Sequence, residues 1–476
     1  MSQINRIFKN MSWLLVSQII ASICGFVWTI LIARYLGVAN YGVLGFAISF
    51  TGFFKILADF GLSTHIIRNI STDNSSAPKY LGNAIPLKCI LGIITFIAAL
   101  FVLILLKTNE LTITITLLFI LELIMGTLIG LFVGSFQAVE EGKYPAISTI
   151  LLNVILLIFI LISIFVDWGL FGVTLSYILA NFITLIFLYY VLNKHLVKPK
   201  FEFDKPFCKK ILRLSLPFAI GSILYTIYYS IDVIMLTELV GDYATGIYNA
   251  TYKLISVLTF FYSVYTAVFF PVMSKFFKND KKLLTISFDK SVKYLMLIMI
   301  PLALSTMIYS ADIIQLIYGN EYSQSAAALN ILIWTVCLLF VNGACNTFLN
   351  ASHHEITVTK IYAIAALFNV VLNFIMIPYF SYIGAAITTV LSDLLIFILQ
   401  LYVMYRTGYE INKHLCFDLG KIFLSTGILG IALFFLKLNM WIALPVGIII
   451  YLVITYIFKL FDDDDMFIIK EALGKN

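Results

Sequence analysis

Apolar runs of about twenty residues recur along the whole chain, and no other feature constrains its fold as strongly. Inside hydrocarbon no water is present to satisfy backbone N–H and C=O groups, so a spanning segment must be a helix or belong to a closed barrel. Twenty helical residues rise ~30 Å, the thickness of a bilayer core. A barrel strand would instead show ~10 residues of alternating character, and the sequence has no such segments. Composition agrees. The 476 residues are 61% hydrophobic and 12% charged, about half the charged fraction of a soluble protein. The expected fold class is an all-α polytopic membrane protein.

Fourteen spans are expected, near residues 11–33, 42–62, 85–106, 113–136, 146–166, 169–192, 211–236, 246–270, 292–310, 327–349, 357–377, 382–404, 420–438 and 440–460. Lysine and arginine set the orientation, because loops rich in them stay on the cytoplasmic side. With the N-terminus inside, 26 of the 31 fall on inner loops and tails, Lys88 and Lys293 among them. Arg34, Lys107 and Lys437 fall outside, while Lys55 and Lys253 lie within spans. Both termini are therefore expected to be cytoplasmic, in a multi-pass protein of the cell membrane. The net charge of +6 then reflects inner-face lysines that meet anionic lipid head groups rather than nucleic acid. The N-terminal MSQINRIFKN leads into a long apolar run without a small-residue cleavage pattern, as in an uncleaved first span.

The chain also repeats itself. LGVANYGVLGFA (36–47) matches LVGDYATGIYNA (239–250), KYLGNAIP (79–86) matches KYLMLIMIP (293–301), and GVTLSYILANFITLIFLYYV (172–191) matches GAAITTVLSDLLIFILQLYV (384–403). Gly37 and Gly42, and their counterparts Gly241 and Gly246, are expected in the outer link after each half's first span. Two six-helix bundles, 1–193 and 211–405, follow from the duplication, with two further spans in 406–460 and a cytoplasmic tail at 461–476. Six is even, so the halves run the same way and are related by an axis along the membrane normal. Between them, 194–210 is basic, and Asp204 with Pro206 marks a helix start that gives an amphipathic inner-face helix. Two facing bundles that rock against each other suit alternating access, and so a transporter.

Several chemistries are absent from the sequence. No GxxxxGK[ST] loop, HExxH or GxSxG occurs, so neither ATP-driven transport nor hydrolysis is expected, and no catalytic residue or cofactor is assigned. The six cysteines are scattered without metal-binding spacing, and His353-His354 beside Glu355 reads as a solvated loop. The acidic FDDDDMFIIKEALGKN tail reads as a capped short helix.

Charges inside spans are costly and are the default functional candidates. In ILADFGLSTHIIRNIS (56–71) and the residue before it, Lys55 and Asp59 are four apart, on one helical face where they can pair, and Arg68 follows a break expected at Gly61. The group reads either as a snorkelling lysine that neutralises Asp59 or as a cluster that opens onto a wet cavity and touches an anionic substrate. Asp232, Lys253 and Arg34 lie towards the outer side, with Asp232 a candidate proton or Na+ site. Glu122, midway along the fourth span and without a local partner, is either protonated against lipid or a coupling site. Candidate substrate-binding residues are Arg34, Lys55, Arg68 and Lys253; candidate ion-coupling residues are Asp59, Asp232 and Glu122. Asp393 aligns with Asn181 in the repeat, which suggests helix packing.

RYLG at 34–37, YGVLGFA at 41–47 and ADFGL at 58–62 followed by Arg68 resemble the N-terminal region of polysaccharide-biosynthesis flippases. These are the Wzx-type members of the multidrug/oligosaccharidyl-lipid/polysaccharide exporter superfamily, and the resemblance covers essentially the whole chain. It implies transfer of a polyprenyl-(pyro)phosphate-linked oligosaccharide from the inner to the outer leaflet, coupled to a gradient of H+ or Na+. It also implies membrane lipids and polysaccharide polymerase or assembly proteins as partners. Two related activities compete with it: a MATE-type Na+/H+-coupled multidrug exporter, which would want acids rather than cations in its cavity, and a peptidoglycan-precursor lipid flippase. A non-transporting scaffold would need no convergent charges.

Overall fold

The computed structural model describes residues 3–197, 199, 202–279, 281–409, 412–436 and 438–461. The chain is all-α among them. Fourteen α-helices follow in order: α1 (Gln3–Asp59), α2 (Leu62–Thr72), α3 (Ala77–Leu105), α4 (Glu110–Ala138), α5 (Lys143–Val166), α6 (Gly169–His195), α7 (Lys205–Leu239), α8 (Asp242–Asn279), α9 (Lys281–Ile308), α10 (Ser310–Tyr318), α11 (Ser325–Ala351), α12 (Glu355–Arg406), α13 (Lys413–Leu436) and α14 (Met440–Ile457). Ten of the described helices are long and apolar enough to cross a membrane. Two of these, α1 with 57 residues and α12 with 52, are long enough to cross twice, because each joins two helices across a kink, at Gly37 and Ser381. The 35 residues of α7 and the 38 of α8 supply two further spans. Fourteen crossings result, as the periodicity predicts. Rows such as Ile93, Ile97 and Phe101 on α3 stay exposed, the face a spanning helix offers to lipid.

Local sequence accounts for most helix ends. α1 stops at Asp59 because Phe60 and Gly61 turn left-handed, with φ of 49° and 71°, at the break expected there. The helix that follows, α2, is amphipathic and buries Leu62, His65, Ile66 and Ile70. Asn109 caps α4 by accepting from Thr112 N at 2.7 Å, and Asn439 caps α14 by accepting from Trp441 N at 3.1 Å. Asp204 accepts from Phe207 N at 3.2 Å, with Pro206 in the first turn. The amphipathic stretch expected before the seventh span is the first part of α7 and runs into it without a break. Pro86 and Pro301, which close the second sequence match, both lie inside helices, α3 and α9. The acidic tail beyond Phe461 lies outside the described residues.

The chain divides into two compact units, residues 1–250 with 373–382, and residues 251–372 with 383–476. In the first, α1 packs on α4, α5 and α7, and α6 on α4 and α5. One apolar core joins Leu62, Ile66 and Ile70 of α2 to Leu81, Leu131, Phe136 and Leu188. A second joins Phe46 and Phe50 of α1 to Ala99, Leu103 and Ile120. In the second unit α9 packs on α11 and α13, and α13 on α14. There Phe288, Phe348 and Tyr409 form a three-ring cluster with centroids 5.1–5.8 Å apart.

Candidate functional site

The first unit gathers its charges where α1 ends. Lys88 of α3 is fully buried, and all three of its ammonium protons are used. They go to Asp59 Oδ1, to Ser63 Oγ at 2.9 Å and to the Thr127 carbonyl of α4 at 2.9 Å. Ser63 Oγ in turn donates to Asp59 Oδ1 at 2.5 Å. The carboxylate that i, i+4 spacing offers to Lys55 is therefore paired with a lysine 29 residues further on. Lys88 is correspondingly no inner-loop cation: it lies inside α3. The choice follows from desolvation, since a fully buried ammonium needs a carboxylate far more than an exposed one does. Lys55 remains exposed on α1, within electrostatic range of both Lys88 and Glu122.

Glu122 has a partner that its own helix does not reveal. Asn181 of α6 donates through Nδ2 to Glu122 Oε1 at 2.8 Å and to the Tyr177 carbonyl at 3.1 Å. Asn181 thus ties α6 to α4 through the Glu122 carboxyl. Around it stand Tyr177, Trp28 and Phe119, with ring centroids 5.6 Å (Trp28–Tyr177) and 5.3 Å (Phe119–Tyr177) apart. Trp28 Nε1 and Tyr177 Oη are buried without a hydrogen-bond partner. Lys55, Asp59, Lys88 and Glu122 thus form one cluster carried by α1, α3 and α4.

Asp232 of α7 is buried. Tyr248 Oη donates to its Oδ2 at 2.9 Å, and Asn373 Nδ2 donates to its Oδ1 at 2.6 Å. Arg34 and Arg68 are exposed, on α1 just before the Gly37 kink and on α2. Lys253 is half-buried on α8, in the second unit. The structure therefore brings together Lys55, Asp59 and Glu122, and holds Asp232 separately with Tyr248 and Asn373.

A close helix crossing involves the repeated glycines. A Cβ on Gly42 would lie 1.8 Å from the Asp242 carbonyl oxygen, and one on Gly246 would lie 2.0 Å from the Val38 carbonyl oxygen. A Cβ on Gly45 would meet Asn249 Nδ2 at 2.0 Å. Each pairing joins a residue of α1 to one of α8, and the residues correspond at the repeat offset of 204. Val38 matches Asp242, Gly42 matches Gly246, and Gly45 matches Asn249. Gly42 and Gly246 are therefore helical contact residues, not part of a link between spans, and each makes room for the other helix's backbone.

The family model described as "Polysaccharide biosynthesis protein" matches residues 7–277, more than half of the chain. The chain belongs to the polysaccharide biosynthesis protein family. The MatE family model also matches, over residues 217–375. The capsular polysaccharide biosynthesis protein CapF of Staphylococcus aureus is 25% identical, over 84% of this chain and 99% of its own. The probable low-salt glycan biosynthesis flippase Agl15 of Haloferax volcanii is 23% identical, over 90% of this chain and 91% of its own. In fold the chain is similar to the lipid II flippase MurJ in an inward closed conformation. The TM-score is 0.76 with 17% identity, over 94% of this chain and 98% of that one.

Among the polysaccharide biosynthesis residues that sequence reasoning missed, Lys88 and Asn181 matter most. Lys88 stands twelfth in α3, deep enough into a helix for burial, and that depth was the available signal. Asn181 was visible only as the repeat counterpart of Asp393. In the second unit Lys293, also counted among inner-loop cations, is buried and pairs with Asp418 of α13 at 3.1 Å. One turn earlier, Asp289 accepts from Tyr409 Oη at 2.7 Å and Asn412 Nδ2 at 3.0 Å.

Proposed function

We propose that the chain carries a polyprenyl-(pyro)phosphate-linked oligosaccharide, the repeat unit of a surface polysaccharide, from the inner to the outer leaflet of the cell membrane. It does so by alternating access of two six-helix bundles, with both termini cytoplasmic, and an ion gradient drives it. Family membership supports the substrate class. The observation that carries the reading is the charged cluster of Lys55, Asp59, Lys88 and Glu122 inside the spanning helices of the first unit. A purely structural role is served by the buried Lys88–Asp59 pair alone. It leaves Lys55 exposed beside that pair, as a cation for a phosphate.

In this reading Lys55 and Arg68 meet the (pyro)phosphate on the inner side, and Arg34 and Lys253 meet it on the outer side. Glu122 is the first choice for the coupling proton, because it is held by the neutral amide of Asn181 and the adjoining Trp28–Tyr177 pair holds unused donors. Asp232, which accepts from Tyr248 and Asn373, is the second. Asp59 is occupied by Lys88 and is the least free of the three. The excess of cations weighs against a MATE-type exporter of cationic drugs.

The test is leaflet transfer of a lipid-linked oligosaccharide in proteoliposomes, with wild type compared to Arg68→Ala and Lys253→Ala. The reading expects transfer by wild type and its loss in variants that still fold. Expulsion of a cationic dye without oligosaccharide transfer would refute it.

A further inference from the structure

The second unit contains a cleft of about 720 Å3 among α8, α11 and α12, in the range of small-molecule sites. Tyr262, Thr266 and Phe270 line it from α8 at intervals of four, so one helical face supplies them all. Asn346 and Asn350 of α11 lie one turn apart, and Glu355 and Thr359 of α12 repeat that spacing. The lining carries a single carboxylate and no lysine or arginine among its described residues. A phosphate has no counter-charge there. An acyl chain would cover the Asn350 amide and the Glu355 carboxylate without offering either a hydrogen bond.

Two features set this lining in place. Gly343 of α11 lies so close to Tyr262 that a Cβ there would approach the ring's Cε2 to 2.0 Å. The ring therefore beds into a notch that only glycine leaves open, with Phe340 edge-on at 6.2 Å. The Asn346 amide is held at both ends. Gln400 Nε2 donates to its Oδ1 at 2.7 Å, and its Nδ2 donates to Tyr362 Oη at 2.7 Å. An aromatic face fixed beside oriented amides, threonine hydroxyls and one acid matches a polyhydroxylated ring. Its C–H face lies on an aromatic, while its hydroxyls need paired donors and acceptors.

From this we infer that the α8–α11–α12 cleft is the subsite for the uncharged sugars of the transported lipid, separate from the cations that hold its phosphates. Tyr262 is the stacking platform, Asn346 and Asn350 bind hydroxyls, and Glu355 accepts hydroxyl protons at the rim. The inference rests on the flippase reading and assigns the glycan's place within it.

Native mass spectrometry of the purified full chain tests it with two probes. One is the polyprenyl-linked oligosaccharide fraction extracted from the cells that make the protein; the other is undecaprenyl pyrophosphate without sugars. Wild type should bind the glycosylated probe more tightly than the bare one. Tyr262→Ala and Asn346→Ala should each weaken the glycosylated probe about tenfold, the worth of one hydrogen bond or stacking contact, and leave the bare one unchanged. Unchanged binding of the bare probe also shows that each variant is folded. Gly343→Ala, which dislodges the Tyr262 ring, should reproduce the Tyr262→Ala result. Equal weakening of both probes would assign the cleft to the lipid, and equal binding of both by wild type would abolish the sugar site while sparing the flippase reading. If wild type binds neither, the flippase reading and the subsite fall together.

Discussion

The buried pair at the end of α1 allows a double-mutant cycle that separates architecture from transport. Lys88 is 0% exposed and Asp59 21% exposed, so the two partners differ in how readily solvent can rescue them. Asp59→Asn leaves a dehydrated ammonium facing a neutral amide, and an uncompensated buried charge costs ~3–5 kcal/mol. Lys88→Met leaves the carboxylate with Ser63 as donor and partial access to water, and should cost less, about 2–3 kcal/mol. The double variant Asp59→Asn/Lys88→Met removes both charges at similar volume. It should therefore lose less than the two single losses combined, by a coupling of about 2–3 kcal/mol. The assay is the unfolding midpoint of each detergent-solubilised variant, followed by flipping in proteoliposomes. If Asp59→Asn is as stable as wild type, or the two losses simply add, the pair is not the structural unit described. Transport by a stable double variant would exclude Asp59 from ion coupling, leaving Glu122 and Asp232.

Glu122→Gln keeps the Asn181 contact but cannot release a proton. It should leave substrate binding intact and make flipping insensitive to an imposed pH gradient, measured as transfer rate against that gradient. Gly42→Ala and Gly246→Ala each place a methyl group over an ångström too close to a backbone carbonyl, where overpacking costs about 1–3 kcal/mol. Each should force α1 and α8 apart and slow transfer. Gly52→Ala, with nothing within 4 Å, should leave transfer unchanged; equal rates for all three would refute a tight crossing.

What was legible beforehand depended on the range of the interaction. The break at Gly61, the Asp204 cap and the count of fourteen crossings rest on neighbours within a turn or on hydropathy, which a linear sequence displays. The partner of Asp59 was not legible, because Lys88 lies 29 residues away on another helix and only packing brings them together. The same holds for Asn181 and Glu122, 59 residues apart. The positive-inside count treated Lys88 and Lys293 as surface charges, since it weighs a lysine near a span's start without knowing whether a carboxylate awaits it inside. The repeated glycines were legible as a pattern, but not as a contact. Their spacing says that both halves need a bare backbone at one level, and only the structure shows that each needs it for the other.

The duplication kept the backbone devices and let the chemistry diverge. At the offset of 204, Gly42 meets its counterpart Gly246, and the shared prolines Pro86 and Pro301 sit in corresponding helices. At the same offset Lys55 falls on Thr259, Asp59 on Ser263, Arg34 on Glu238 and Trp28 on Asp232. None of the charges proposed for function has a like-charged counterpart. A lipid-linked oligosaccharide is not symmetric: it has one phosphate end and one glycan. The first unit carries a charged cluster and the second an amide-lined cleft with a single carboxylate, so the duplicated scaffold has acquired different chemistry in its two units.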